Sequence, residues 1–444
     1  MSIVAETTLK CNPKMKIAFN GVNLSSDTGL LIVKEFVHTL GIDKLVKDLF
    51  KTNDTRAFKV HTDDKLLMQV VCQCMASYFT DDCADELRND PVFRSILGTK
   101  ALASQPTLSR FFNRLDETTV EKINSIFKAM RKRVYGIKKP ESVLFDIDTT
   151  LCNTYGSQEG ANFNHHYQAN GYHPLLCFDA MTSDLIAAEM RPGSAYCCKN
   201  IRDFMEPIFE EYTTEYPEIS LFVRGDSGFA TDELYSVCEE YGVKYAIRLK
   251  ESNPLRQEAA PILQRLLDRV NAKEDSVSYD VEFGEFNYKA NSWENERRVA
   301  CKVEKPQGQM APLYTFIVTN MEFYDPKILV QYYCKRGAME NMIKECKSGF
   351  DMSSVSSSSM IVNANRMLIH AFAYNIFNWM RRLTLPEKMK QDRIDTIRLK
   401  LFKVASRIVS TGRYLYFKMC SAFVYKAEFM QTLNNIYSLN VQLE

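Results

Sequence analysis

Three acids in this chain stand where carboxylates could act together on a phosphodiester. Asp148 closes the short apolar string SVLFDIDTT, and Asp226 stands at the tip of ISLFVRGDSGF. Two-metal cleavage of a phosphodiester needs carboxylates that bridge and flank two cations ~3.5–4 Å apart. Hard Mg²⁺ takes oxygen ligands and keeps positions open for water and a substrate phosphate. Its ligands must come from rigid elements whose ends converge, and two neighbouring central strands would bring Asp148 and Asp226 together. Asp146 lies two residues earlier on the same strand face and is an alternative ligand. The third acid should come from a helix laid across the sheet, and PKILVQYYCKRGAMENMIKECKSGF offers Glu340. Tyr333, Arg336, Glu340 and Lys347 are spaced 3, 4 and 7 apart, which at ~100° per residue places them on one narrow helical face. An acid between an arginine and a lysine suits a ligand whose neighbours grip phosphates. From spacing alone, an ordinary salt-bridged amphipathic helix fits better.

Other residues carry weaker signals. His165 and His166 read as loop residues binding water or phosphate rather than metal. Arg224 could neutralise a phosphate beside Asp226 or form a structural ion pair. Gly225 and Gly228 would permit a tight turn from strand to loop. The 13 cysteines are scattered without a CxxC pair, and read as small buried hydrophobes.

These acids need a scaffold, and the texture of the chain supplies one. Residues 26–135 read as helical, with Ser104 as a cap and Pro106 in the first turn of SQPTLSRFFNRL. After Gly136 and Pro140 come a strand ending in acids, a hairpin (YHPLLCFDA and DLIAAEMRPG), a helix, the strand with Asp226, a helix and the strand VKYAIRL. That is the order of a ribonuclease H-like core. From 276 to 322 a second β texture appears as SVSYDVEF, FNYKANSW, RRVACKVE and LYTFIVTN. Helical periodicity then returns, followed by a serine-rich loop and NRMLIHAFAYNIFNWMRRL. The expected architecture is α/β, with a helical DNA-binding domain over 1–137 and core over 138–275. A β-rich insertion over 276–322, the rest of the core with the catalytic helix over 323–382, and a basic helical region over 383–444 complete it.

At 444 residues, 45% hydrophobic and 25% charged, the composition is that of a soluble globular protein of two or three domains. No stretch approaches the ~18 apolar residues of a membrane helix, and MSIVAETTLK lacks the features of a secretory signal. The net charge of +1 says nothing for nucleic acid. Locally, KINSIFKAMRKRVYGIKK is basic without an acid, and Arg381 to Lys418 holds Arg398 and Lys400 among many bases; such stretches mark a phosphate backbone or simply solvated helix faces. Sequence-specific contacts are expected around Ser104, Arg110 and Arg114, where a helix could enter the major groove.

The string Y-x2-R-x3-E-x6-K, as Tyr333, Arg336, Glu340 and Lys347, resembles the signature of the hairpin-forming branch of bacterial insertion-sequence transposases. The chain is similar nearly end to end to the 1380-type insertion-sequence family, through SSDTGLLIVKEF, DELRNDPVFRSILG, LASQPTLSRFFNRL, FDIDTT, GSQEGANFNHHY, HPLLCFDAMTSDLIAAEMRPGS, RGDSGFATDEL, YAIRLK, YCKRGAMENMIKECKSGF and ANRMLIHAFAYNIFNWMR. The resemblance implies a DDE transposase whose metal ligands are Asp148, Asp226 and Glu340, with Asp146 still open as the first. The Asp-Thr-Thr string favours Asp148. Tyr333, Arg336 and Lys347 would hold the transposon-end strand, and Trp293 would stack on or replace a flipped base. Two Mg²⁺ ions, with Mn²⁺ as a substitute, would support hydrolysis, hairpin formation and joining of the 3′-hydroxyl to target DNA. Partners would be terminal inverted repeats, target DNA and a second copy in a synaptic homodimer, in the cytoplasm with the nucleoid. Two rival readings are a Mn²⁺-dependent glycosyltransferase using Asp146-Ile147-Asp148 and a non-catalytic DNA-binding descendant of a transposase.

Overall fold

The computed structural model describes residues 6–21, 23–272, 278–309 and 311–441. They divide into two compact units. One comprises Met1–Ile137, Ser348–Asp351 and Ile369–Glu444, and the other Lys138–Lys347 and Met352–Leu368.

The second unit is built on an eight-stranded mixed sheet. Its strands are β1 (Ser142–Thr149), β2 (Leu175–Asp179), β3 (Leu185–Glu189), β4 (Ser220–Gly225), β5 (Lys244–Leu249), β6 (Asp280–Tyr288), β7 (Arg297–Lys305) and β8 (Leu313–Thr319). They lie in the order β6-β7-β8-β5-β4-β1-β2-β3. β1, β4 and β5 are parallel, and β2 and β3 form the expected antiparallel hairpin beside β1. A central parallel strand is covered on both faces and reads as a continuous apolar run. β1 does so through Val143, Leu144, Phe145 and Ile147, all buried. Phe145 packs on Phe209 and Tyr212 of the helix Ile201–Glu215, with ring centroids 6.0 and 5.2 Å away. The helix Asp232–Glu240 starts where Thr231 caps it, its hydroxyl accepting from Leu234 N, with Asp232 and Glu233 in the first turn, where acids suit the helix dipole.

The segment expected as a β-rich insertion continues this same sheet. β8 pairs antiparallel with β5, and β7 and β6 follow outward. SVSYDVEF and FNYKANSW, read as two strands, contribute to one strand, β6; Ser276 and Val277 lie outside the described residues. Gly284 lets β6 run close beneath the helix Ala260–Asn271, because a Cβ there would lie 2.7 Å from Ile262.

In the first unit, the stretch that reads as helical is divided into helices Leu30–Thr39, Ile42–Leu49, Asp63–Met75, Pro91–Leu97, Gln105–Phe112 and Glu117–Ile137. Asp90 caps the fourth, accepting from Val92 N and Phe93 N at 2.9 and 3.0 Å, and Gly98 ends it in the left-handed region. Ser104 stands at the N-cap position as expected, but its hydroxyl bonds the Thr107 hydroxyl (3.1 Å) rather than a backbone N–H.

The expectation of all-helical terminal regions needs correction. Thr7–Leu9 and Asn12–Ile17 pair as strands, and Ser406–Ser410 and Leu415–Met419 form a hairpin on which Leu24–Ser25 adds a third strand. The hairpin sequence, SRIVSTGRYLYFKM, alternates β-branched and aromatic residues around a turn, a period of two that its basic residues obscured. Among the described residues, no helix is long and apolar enough to cross a membrane.

Candidate active site

Parallel β1 and β4 are in register with Arg224 opposite Asp146. Asp148, near the end of β1, and Asp226, directly after β4, therefore arrive at the same edge. Open α/β sheets place ligands at this carboxyl end of their strands. Asp226 Oδ1 accepts Gly228 N at 2.8 Å, capping the short turn Ser227–Phe229. Asp148 Oδ1 accepts Thr149 N at 2.8 Å. Burial pushes the Asp148 carboxyl above its usual range, Arg336 pulls the other way, and the charge of Asp226 adds to the upward shift.

Arg336 is the cation of this site. Its Nη2 lies 2.9 Å from Asp148 Oδ2 and donates to Ile147 O at 3.3 Å. Burial opposes its charge, but the carboxylates of Asp148 and Asp226 outweigh that and hold the guanidinium above its ordinary range. Among the described residues, its Nε is buried without a hydrogen-bond partner. Tyr333, also buried, has its hydroxyl pushed up by burial, with the Arg336 and Arg248 charges opposing. Lys347 reaches the loop after β1, donating to Leu151 O at 2.8 Å and to the Thr150 hydroxyl at 3.2 Å.

Glu340 is not brought to this cluster. Its side chain is 71% exposed and pairs with Lys344 at 2.8 Å, an interaction that lowers its pKa. A single stripe of these residues requires a uniform α-helix, and the backbone is not uniform. Pro326–Cys334 is followed by a 3₁₀ turn at Lys335–Gly337, then Ala338–Lys344 and a π-turn at Glu345–Gly349. A 3₁₀ turn advances ~20° more per residue than an α-helix, which swings Glu340 off the face of Arg336. Among the described residues, no group of three metal-ligating side chains is assembled.

Asp146, the alternative ligand, is fully buried and committed elsewhere. Its carboxylate takes a bidentate pair from Arg224, Nε and Nη2 both at 2.7 Å. Arg224 Nη1 donates to Tyr332 O at 2.8 Å, and the guanidinium lies over the Tyr332 ring. Arg224 is thus the structural ion pair rather than a phosphate neighbour. Gly225 and Gly228 have ordinary backbone angles, so close packing is what they serve. A Cβ at Gly228 would stand 3.0 Å from both Asp226 Oδ1 and Cys197 Sγ.

Two site neighbours went unread in the sequence. Tyr167 donates to Thr149 O at 3.3 Å, and burial, reinforced by the charge of Asp148, pushes its hydroxyl to about 12. Cys197 lies 3.6 Å from the Thr149 hydroxyl. Tyr167 comes from the turn between the strands Asn162–Asn164 and Ala169–Tyr172 and Cys197 from the loop between β3 and the helix Ile201–Glu215, and loops carry no periodic signal. His165 and His166 are exposed loop residues as expected.

The remaining DNA-binding candidates have other surroundings. Trp293 sits in the β6–β7 loop and is only 6% exposed, its ring against Tyr235 and Tyr288 and under Arg297. Arg110 is exposed on its helix, with Ser104 half-buried. Arg398, expected to meet phosphates, is 3% exposed. It donates to Cys74 O and Met75 O at 2.7 and 2.9 Å and pairs with Asp395 at 2.7 Å. Lys400 pairs with Asp392 at 2.7 Å.

Two convergent aspartates offer the hard oxygen donors that Mg²⁺ prefers, so Asp148 and Asp226 fit a divalent cation while Glu340, in this conformation, does not. Solved structures similar to the chain include piggyBac transposase in a synaptic complex with hairpin DNA, at 12% identity and TM-score 0.42, covering 85% of this chain and 80% of that one. The Mos1 transposase paired-end complex with left transposon end matches at 12% identity and TM-score 0.18, over 50% of this chain and 75% of that one. No curated protein matches the sequence. The family model described as "Transposase DDE domain group 1" matches residues 7–441. The chain therefore belongs to the DDE transposases.

Proposed function

We propose that this transposase cuts DNA at the ends of an insertion sequence of the 1380 type and joins the freed 3′-hydroxyls to target DNA. The observation that carries this reading is the meeting of Asp148 and Asp226 at the ends of β1 and β4, in a DDE transposase. The strand order β3-β2-β1-β4-β5 supports a ribonuclease H-like core, with β6–β8 as an insertion that widens its sheet. Asp148 and Asp226 would hold Mg²⁺, with Mn²⁺ as a substitute, and Asp146 serves the fold. Bound there, a metal pair would activate the attacking oxygen and steady the leaving one.

The other residues position the strand. Arg336 holds a guanidinium beside Asp148, and a phosphate oxygen is an acceptor that guanidinium takes well. Lys347, held on the loop after β1, provides a second cation, and Tyr333 walls the site. Glu340 completes the ligand set when its segment turns inward and Lys344 releases it. Hairpin formation and synapsis in a homodimer belong to this reading.

The test uses a duplex carrying the sequence that flanks the gene, incubated with the full chain and Mg²⁺. The expected product is a strand ending in a 3′-hydroxyl at the repeat boundary, lost on chelation. A duplex left intact in both Mg²⁺ and Mn²⁺ would overturn the reading.

A further inference from the structure

Residues 396–427 contain seven basic side chains and no acid. Three of these charges share a small β-ribbon. Ser406–Ser410 pairs antiparallel with Leu415–Met419 in the first unit. On the inner face Ser406 and Ile408 are buried, with Phe417 and Met419 half-buried opposite them. On the outer face Arg407, Tyr416 and Lys418 are exposed, with Arg413 and Tyr414 beside them at the turn.

Arg407 and Lys418 face each other directly across the ladder, and like charges so placed destabilise a sheet. Nearby cations find acids: Lys403 pairs with Asp27 at 2.6 Å and Lys400 with Asp392 at 2.7 Å. Among the described residues, Arg407, Arg413 and Lys418 have no such partner. Tyr414 and Tyr416 are 64% and 47% exposed, with ring centroids 5.9 Å apart. A face that keeps opposed cations and bare aromatic rings is unfavourable in water alone and well suited to a polyanion with flat apolar surfaces.

We propose that the outer face of this ribbon docks double-stranded DNA. Arg407, Arg413 and Lys418 meet phosphates, and Tyr414 and Tyr416 lie against sugars and base edges. A two-stranded ribbon is a shape the ~12 Å major groove admits. Residues 406–419 contain no Asn, Gln, Asp or Glu to read adenine or cytosine edges, and with Arg407, Arg413 and Lys418 engaged on phosphates the binding is sequence-tolerant. Target or flanking DNA is then the natural occupant, rather than the specific repeat. The proposal rests on the transposase reading above.

The test compares the full chain with the variants Arg407→Gln/Lys418→Gln and Arg413→Gln. The second lies in an exposed turn and leaves the ladder untouched. Affinity is measured against a random-sequence duplex and a duplex carrying the gene's flanking repeat, across a range of salt. The expected result is that the double variant weakens both duplexes by the same factor, roughly tenfold between low and moderate salt. Its log–log salt slope should be shallower by about 1.8, at about 0.9 per lost phosphate contact, and that of Arg413→Gln by about half as much. Unchanged affinities and slopes in both variants overturn the docking surface alone. Loss confined to the repeat-bearing duplex overturns its sequence tolerance. A wild-type chain that binds neither duplex overturns both this proposal and the transposase reading.

Discussion

Asp146 and Asp148 point from the same strand face, yet the surroundings give them opposite tasks. Asp146 is fully buried against Arg224, itself nearly inaccessible. Burial raises its pKa while the guanidinium opposes the shift. Removing one partner of such a pair strands the other charge, a loss of about 3–5 kcal/mol. Asp146→Asn should therefore lower the denaturant midpoint substantially, and any fall in activity should follow that loss of folded protein. Asp148→Asn, whose carboxylate is 26% exposed, should leave the midpoint near wild type and abolish cleavage. Equal stability of the two variants would remove the distinction. Asp148 and Asp226 were legible because each ends a clear apolar strand. Which acid of the pair was free was not, since that depends on Arg224 arriving from a strand 78 residues away. Tyr167 and Cys197 gave no signal for the same reason: loops converge on the site only once the sheet exists.

At the level of elements, the core strands and their order could be read from apolar runs and turns, whereas departures from ideal geometry could not. The 3₁₀ turn at Lys335–Gly337 moves Glu340 off the helical face that simple spacing assigns it. Likewise SVSYDVEF and FNYKANSW, read as two strands, contribute to the single strand β6, whose Gly284 lets a helix approach. The β2–β3 hairpin carries a consequence for pH. Its turn is held by Asp179, which accepts from Leu144 N, Met181 N and the Thr182 hydroxyl at 3.2, 3.0 and 2.6 Å. Burial, offset in part by Thr182, raises this carboxyl to about 6. A folded pKa raised above the unfolded value near 4 stabilises the protein at low pH and loses that contribution as pH rises through 6. The hairpin's contribution to stability should therefore fall from pH 4 to pH 6. Asp179→Asn should flatten that dependence in unfolding titrations, and an unaltered pH profile would contradict it.

At the level of the whole molecule, the sequence suggested terminal domains cut at 137 and 383, whereas both ends of the chain belong to one unit. Arg398 shows why this was hard to see. Its basic neighbourhood suggests DNA, but its guanidinium satisfies the last carbonyls of the helix Asp63–Met75, more than 300 residues away. Such a role suits a buried arginine near a helix C-terminus. Arg398→Glu should consequently reduce soluble, folded protein, while Lys400→Glu, on a half-exposed pair, should be tolerated. A well-folded Arg398→Glu variant with weakened DNA binding would restore the phosphate role. The central claim is that Asp148 and Asp226 form the catalytic pair of a DNA-cutting enzyme. Its most direct measurement is single-turnover cleavage of a duplex carrying the gene's flanking repeat, in Mg²⁺, by wild type and by Asp226→Asn. The account predicts at least ~10²–10³-fold slower cleavage by the variant, with duplex affinity unchanged; cleavage at the wild-type rate would contradict it.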